Sequence, residues 1–157
     1  MTLSPRAIRE AIAGALRAGL EREVNVYAYP PDAPQFPCVI VHAGDTPGGG
    51  GEYLAYHGTF SDGSVVSVRM CLQVIYSATR STDSLVALDD LLATVGSGTV
   101  SGFESSIIDV LERDRTLGGV VNTCHVDVAL APRPVADPDI NFQGWAATVR
   151  LAIAHKR

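Results

Sequence analysis

Two stretches in which large apolar residues occupy every second position place the strongest limit on the fold of this chain. The first runs from Val66 to Tyr76, with Ser67, Arg69, Cys71 and Gln73 at the positions between. The second runs from Trp145 to Ile153. Because successive side chains of a β-strand point to opposite faces, each stretch predicts a long strand with one buried face. The chain must therefore build a sheet and cover one side of it.

Three segments have helical spacing instead. In the segment Ser4–Leu20 apolar residues recur every four positions, and Ser4 followed by Pro5 supplies an N-cap and a favoured first helical residue. A second helix is predicted to begin at Ser81 or Thr82 and to end at Gly96. A third is predicted from the Ser-x-x-Glu capping box of Ser101–Glu104 to the glycines after Leu117.

Shorter strands complete the pattern. The segment Val24–Tyr29 alternates and predicts an edge strand, while the nearly continuous apolar run Cys38–His42 predicts a central strand covered on both faces. A further strand, Val126–Leu130, is predicted to end at Pro132 and Pro134, with a loop through residues 137–139. Strands and helices do not alternate regularly, so we expect an α+β fold: a mostly antiparallel, mixed sheet with helices packed on one face.

The chain length of 157 residues predicts a single domain covering residues 1–157. The four consecutive glycines Gly48–Gly51 predict a flexible loop at about residues 45–58, because glycine loses the most backbone freedom on ordering. No Gly-Lys-Ser/Thr follows the glycines, and no helix is predicted directly after them, so a flexible loop is preferred to a nucleotide site.

Composition excludes several classes of protein. The 12 basic and 17 acidic residues give a net charge of −5, which disfavours specific DNA binding. The three cysteines form no Cys-x-x-Cys pair and are expected to be free thiols. The apolar runs are too short to cross a membrane, and the N-terminus has no secretory signal, so an intracellular protein is expected.

The search for catalytic or metal-binding groups predicts none. Cys38 and His42 lie on one predicted strand with Cα atoms about 13 Å apart, too far to share an ion. Cys124 and His125 are adjacent on a strand and must point to opposite faces. The acidic residues of the second and third helices fit exposed helical positions, and no Gly-x-Ser-x-Gly motif is present. We therefore expect no catalytic residue, no metal and no cofactor.

Aromatic residues beside loops suggest a different kind of site. Tyrosine and tryptophan are enriched at the energetic centres of protein interfaces. The expected protein-contact residues are Tyr53, Tyr56, Phe60, Phe142 and Trp145, together with Gly48, Gly49, Gly50 and Gly51. Ordinary core packing at strand ends is the alternative interpretation of the aromatic residues.

The order of these segments resembles a known family. The N-terminal helix followed by the segments Val26–Pro31 and Pro37–Val41 resembles the opening of tail terminator proteins of long-tailed bacteriophages. The second half looks like the tail terminator or minor tail protein pattern of phages of high-GC bacteria, through Ser106–Glu112, Thr116–Val121 and the closing strand Gly144–Ile153. The resemblance covers essentially the whole chain, and its motifs are structural.

The resemblance implies a virion protein of the tail or neck, assembled in the host cytoplasm. Its copies would form a homo-hexameric ring that caps the tail tube, stops polymerisation of the tail tube protein and presents a surface to the head-tail connector, or head-closure protein. DNA would pass through the lumen without specific binding. Six copies carry a charge of −30, and any part of it that lines the lumen would repel DNA. The alternatives are another neck, head-closure or tail-completion component and, from a different class, a small-molecule-binding α+β domain or enzyme.

Overall fold

The computed structural model describes residues 3–20, 23–56, 65–77, 81–92, 106–137 and 142–156. In chain order its elements are α1 (Pro5–Gly19), β1 (Asn25–Tyr27), β2 (Cys38–Ala43), β3 (Leu54–Tyr56), β4 (Val65–Ser77), α2 (Ser81–Leu92), α3 (Ile107–Arg113), β5 (Thr123–Ala129), β6 (Arg133–Asp137) and β7 (Phe142–Lys156).

The two long alternating segments are neighbours at the centre of one sheet. Strands β4 and β7 pair antiparallel along their whole length, from Val65 opposite Lys156 to Ser77 opposite Gly144. The edge of β4 that faces away from β7 pairs with two strands in succession, β3 and β2. The edge of β7 that faces away from β4 likewise pairs with β6 and β5. Strand β1 pairs parallel with β2. The sheet is thus mixed and mostly antiparallel, which confirms the predicted α+β class.

All three helices pack on the same face of the sheet. Their buried apolar residues join those of β2, β4 and β7 in one core, which includes Ile8, Ile12, Leu16, Leu88, Leu91, Ile107, Leu111, Val39, Met70 and Leu151. The residues from α1 repeat every four positions, as the helical spacing predicted. At about 1.5 to 3 kcal/mol for each large apolar side chain removed from water, this layer is the main favourable contribution to folding.

The helix ends follow from capping groups. The Ser4 hydroxyl accepts a hydrogen bond from the Ala7 amide at 3.2 Å, so the predicted N-cap of α1 is confirmed. The N-cap of α3 is Ser106, whose hydroxyl accepts from the Asp109 amide at 3.1 Å. Helix α3 therefore begins after the predicted capping box, whose residues 101–104 lie outside the described ranges. Gly96, the predicted end of the second helix, also lies outside them.

Two short strands correct the sequence prediction. Strand β3, whose Leu54 pairs with Val68, lies inside the predicted loop of residues 45–58, so that loop is shorter than expected; residues 57–58 lie outside the described ranges. Strand β6 forms where Pro132 and Pro134 were predicted to end a strand, and it includes Asp137, the first residue of the loop predicted at 137–139; residues 138–139 lie outside the described ranges. Pro134 has no amide hydrogen to donate. It is tolerated because β6 is an edge strand that pairs with β7 only, so the missing donor costs the sheet no hydrogen bond.

Candidate interaction surface

The opposite face of the sheet, here called the open face, carries no helix among the described residues. One end of it holds a small apolar cluster in which Cys38, Ile40 and Ile75 are buried. Phe36 and Phe142 stack beside them with ring centroids 4.3 Å apart. This cluster explains why β2 is covered on both sides, as predicted: Val39 and Val41 face the helices, while Cys38 and Ile40 face the open side.

The middle of the open face is polar. The His42 Nε2 atom lies 3.0 Å from the Gln73 Oε1 atom, and Arg69 forms an ion pair with Asp127 at 3.0 Å. Burial lowers the pKa of His42, and the nearby positive charge of Arg9 lowers it further. The hydrogen bond with Gln73 acts in the opposite direction and raises it. The neutral imidazole is therefore favoured on this face.

The segment Gly44–Gly51, here called the glycine turn, is folded on itself. The Gly44 amide donates to the Arg69 carbonyl at 2.9 Å, and the Asp45 amide donates to the Gly50 carbonyl at 3.0 Å. Arg150 of β7 donates from Nε to the Asp45 carbonyl at 2.9 Å. The turn is thereby attached to both central strands and forms a wall at the open face.

A cleft of about 230 Å³, here called the arginine cleft, lies between the glycine turn and the connection from β5 to β6. It is lined by Thr46, Pro47, Leu130, Ala131, Arg133, Ala146, Thr148 and Arg150. Neither arginine makes an ion pair with any residue in the described ranges. A second cleft of about 150 Å³ lies further along β7, beside Arg69, His125, Ala152 and Ala154.

The structure separates the residues that the sequence grouped as an interface. Tyr53 and Trp145 pack against the helix-side core, whereas Phe142 lies on the open face. The split between Phe142 and Trp145 follows from their odd spacing on β7. Tyr56 is 57% exposed and pairs with Val66 near the start of β4. Trp145 pairs with Tyr76, ten residues further along β4, so about 33 Å of strand separates Tyr56 from Trp145.

The remaining predicted contact residues fall into two groups. Gly48, Gly49, Gly50 and Gly51 all lie in the glycine turn, and Phe60 lies outside the described residues. The predicted set therefore does not form one surface. Sequence reasoning missed Arg133 and Arg150, because only the pairing of β6 with β7 brings them to the same cleft.

The groups considered for chemistry are dispersed. Cys38, Cys71 and Cys124 are buried free thiols, and burial raises the pKa to about 11 for the first two and to about 12 for Cys124. His125 lies 2.8 Å from the Thr123 hydroxyl, on the opposite face from Cys124. Within the part of the chain that the structure describes, no three His, Cys, Asp or Glu residues are grouped to hold a metal ion.

The molecule defined by these observations is an α+β protein with a helix-covered sheet face and an open one. None of the described helices is long and apolar enough to cross a membrane. No protein-family profile matches the chain, and no curated protein sequence matches it.

Proposed function

We propose that this protein is a structural subunit of a bacteriophage virion, a tail terminator. Its copies form a ring, of six in the arrangement that the family resemblance implies, at the head-proximal end of the tail tube. The ring stops polymerisation of the tail tube protein and joins the tail to the head-tail connector. DNA passes through the ring without specific contacts, and the role requires no catalytic residue or cofactor.

The open face is the observation that carries this proposal. It combines an apolar cluster with two arginines that lack an ion-pair partner among the described residues. Protein interfaces typically combine an apolar centre with a polar rim in which arginine is enriched. A sheet face of this kind suits contact with another protein, and a head-to-tail contact repeated between copies generates a ring when the rotation between copies closes.

The size of the clefts favours a protein partner over a small ligand. Pockets for small molecules usually enclose about 300–1,000 Å³. The arginine cleft, at about 230 Å³, and its neighbour, at about 150 Å³, are both smaller. They fit side chains of a docked protein better than a whole metabolite.

Tube-length measurement tests the function directly. The full chain is added to tail tube protein during polymerisation, and tube lengths are measured by negative-stain electron microscopy. A terminator caps tubes and shortens them in proportion to its concentration, and cryo-electron microscopy of the virion then places it between tube and connector. Unchanged tubes and absence from the neck would refute the proposal, whereas density elsewhere in the neck would favour another head-closure component.

A further inference from the structure

The arginine cleft holds two positive charges that come from different strands. Arg133 of β6 pairs with Ala146 of β7, and Arg150 lies four residues further along β7 on the same face. Both arginines line the cleft, and no acidic residue of the described ranges lines it with them. A positive site is thus part of a chain whose net charge is −5.

Both arginines are available to a carboxylate from outside the chain. The Arg150 Nε donates to the Asp45 carbonyl at 2.9 Å, which positions the guanidinium, and its terminal nitrogens donate to no described residue. Arg133 is exposed and makes no hydrogen bond or ion pair with a residue in the described ranges. Because a planar guanidinium binds both oxygens of a carboxylate, the pair suits an aspartate or glutamate side chain.

Two acidic side chains close to the cleft are directed elsewhere. The Asp45 Oδ2 atom lies beside Gly51, where an added Cβ atom would be 2.8 Å away, and Asp45 does not line the cleft. Asp127 forms its ion pair with Arg69 at 3.0 Å. The two cleft arginines therefore have no carboxylate partner within the described part of their own chain.

The other lining residues favour a glutamate. Pro47, Leu130, Ala131 and Ala146 are apolar, and Thr46 and Thr148 provide hydroxyl groups. A glutamate has two methylene groups before its carboxylate, so these can contact the apolar wall while the carboxylate reaches the arginines. The volume of about 230 Å³ suits one side chain and is below the usual 300–1,000 Å³ of small-molecule pockets.

Glu23 lies at the opposite edge of the sheet, close to the level of the cleft. The register aligns one residue from each of five strands in a row across the sheet: Asn25, Cys38, Ile75, Ala146 and Arg133. Glu23 precedes the first of these by two residues. Four strand spacings of about 4.8 Å separate the ends of the row, which are therefore about 19 Å apart.

Glu23 is placed for contact with another molecule. It is exposed and makes no ion pair with a residue that the structure describes. Val24 and Val26 pack against the helix-side core. Because side chains alternate in an extended segment, Glu23 and Asn25 lie on the open-face side, the same side as the arginine cleft.

We propose that Glu23 of one copy binds in the arginine cleft of the next copy, where its carboxylate contacts Arg133 and Arg150. This inference rests on the proposed function, because it names the contact that would join the ring. The two surfaces lie at opposite edges of the sheet, so each copy donates Glu23 to one neighbour and accepts Glu23 from the other. Such a head-to-tail contact closes into a ring when the rotation between copies allows it.

Charge exchange between copies tests the contact. Glu23→Arg and Arg133→Glu are each expected to weaken self-association about tenfold or more, measured by sedimentation velocity. An equimolar mixture of the two variants is expected to regain it, because the altered edge of one variant complements the altered cleft of the other. Glu10→Arg, an exposed charge reversal on α1, is the matched control and leaves association unchanged.

Neutral variants keep the test decisive if a charge reversal prevents folding. Glu23→Gln and Arg133→Gln are each expected to weaken association, and the double variant is expected to lose about as much as either one, because both act on one contact. If the wild type assembles but the variants associate equally well, or the charge-reversed mixture does not recover, this contact is refuted and the proposed function stands. A wild type that stays monomeric at every concentration refutes both.

Discussion

Replacement of Gly44 by alanine tests the glycine turn that forms one wall of the arginine cleft. Gly44 has a φ of +82°, and a Cβ atom added there would lie 2.5 Å from the Gly50 carbonyl oxygen. That oxygen already accepts the Asp45 amide at 3.0 Å, so it cannot move without weakening the hydrogen bond that closes the turn.

The magnitude comes from two separable costs. The left-handed conformation costs an alanine about 1–2 kcal/mol. Displacement of the Gly50 carbonyl adds about 1–3 kcal/mol, the usual cost of overpacking. Gly44→Ala is therefore expected to lower the free energy of unfolding by about 2–5 kcal/mol, out of a total of about 5–15 kcal/mol for a typical domain.

Gly49→Ala is the matched control because it isolates the first cost. Gly49 has a φ of +83°, almost the same as Gly44, but an added Cβ atom there meets no heavy atom within 4 Å. Its expected loss is only about 1–2 kcal/mol, from the conformation alone. Urea unfolding followed by circular dichroism, with linear extrapolation to water, measures both variants. Equal losses in the two variants would refute the packing of the turn described here.

Three further predictions concern buried groups. All three cysteines are buried with raised pKa values, so a thiol reagent at pH 8 is expected to react slowly with the native protein and to label three thiols after unfolding; rapid native labelling would contradict this. His155 is 2% exposed, and neither ring nitrogen has a hydrogen-bond partner among the described residues. His155→Leu is therefore expected to raise the free energy of unfolding by about 1–2 kcal/mol in urea titrations. A lower free energy of unfolding would instead indicate a partner that hydrogen-bonds the ring. Burial lowers the pKa of His42 below its ordinary value near 6.5, so the unfolded chain binds the proton first as the pH falls. The protein is therefore expected to lose stability as the pH falls below about 6.5. His42→Gln is expected to flatten the curve of unfolding free energy against pH between about pH 5 and 7, and an unchanged slope would contradict the assignment.

Hydrophobic periodicity predicted the central part of the fold well. Strands β4 and β7 are long, and each has a repeated contrast between its two faces, which is the signal that burial imposes on a sequence. Helix α1 was predicted closely because Ser4 and Pro5 specify its start chemically. Strands β3 and β6 were missed because three and five residues carry too little periodicity, and Pro134 is unfavourable in any strand except one at an edge.

The candidate site was less predictable than the fold. Phe142 and Trp145 are close in sequence, but the strand conformation turns them to opposite faces, so proximity along the chain was misleading. Arg133 and Arg150 belong to separate strands and share a cleft only through the register of β6 against β7. That register follows from tertiary packing, which no local pattern in the sequence specifies.

Native mass spectrometry of the full chain tests the central claim most directly. The account predicts a closed species of six times the 16.6 kDa subunit mass, with no continuous ladder of larger oligomers, because a ring leaves no free contact surface. A wild type that remains at the mass of one subunit at every concentration would contradict the account.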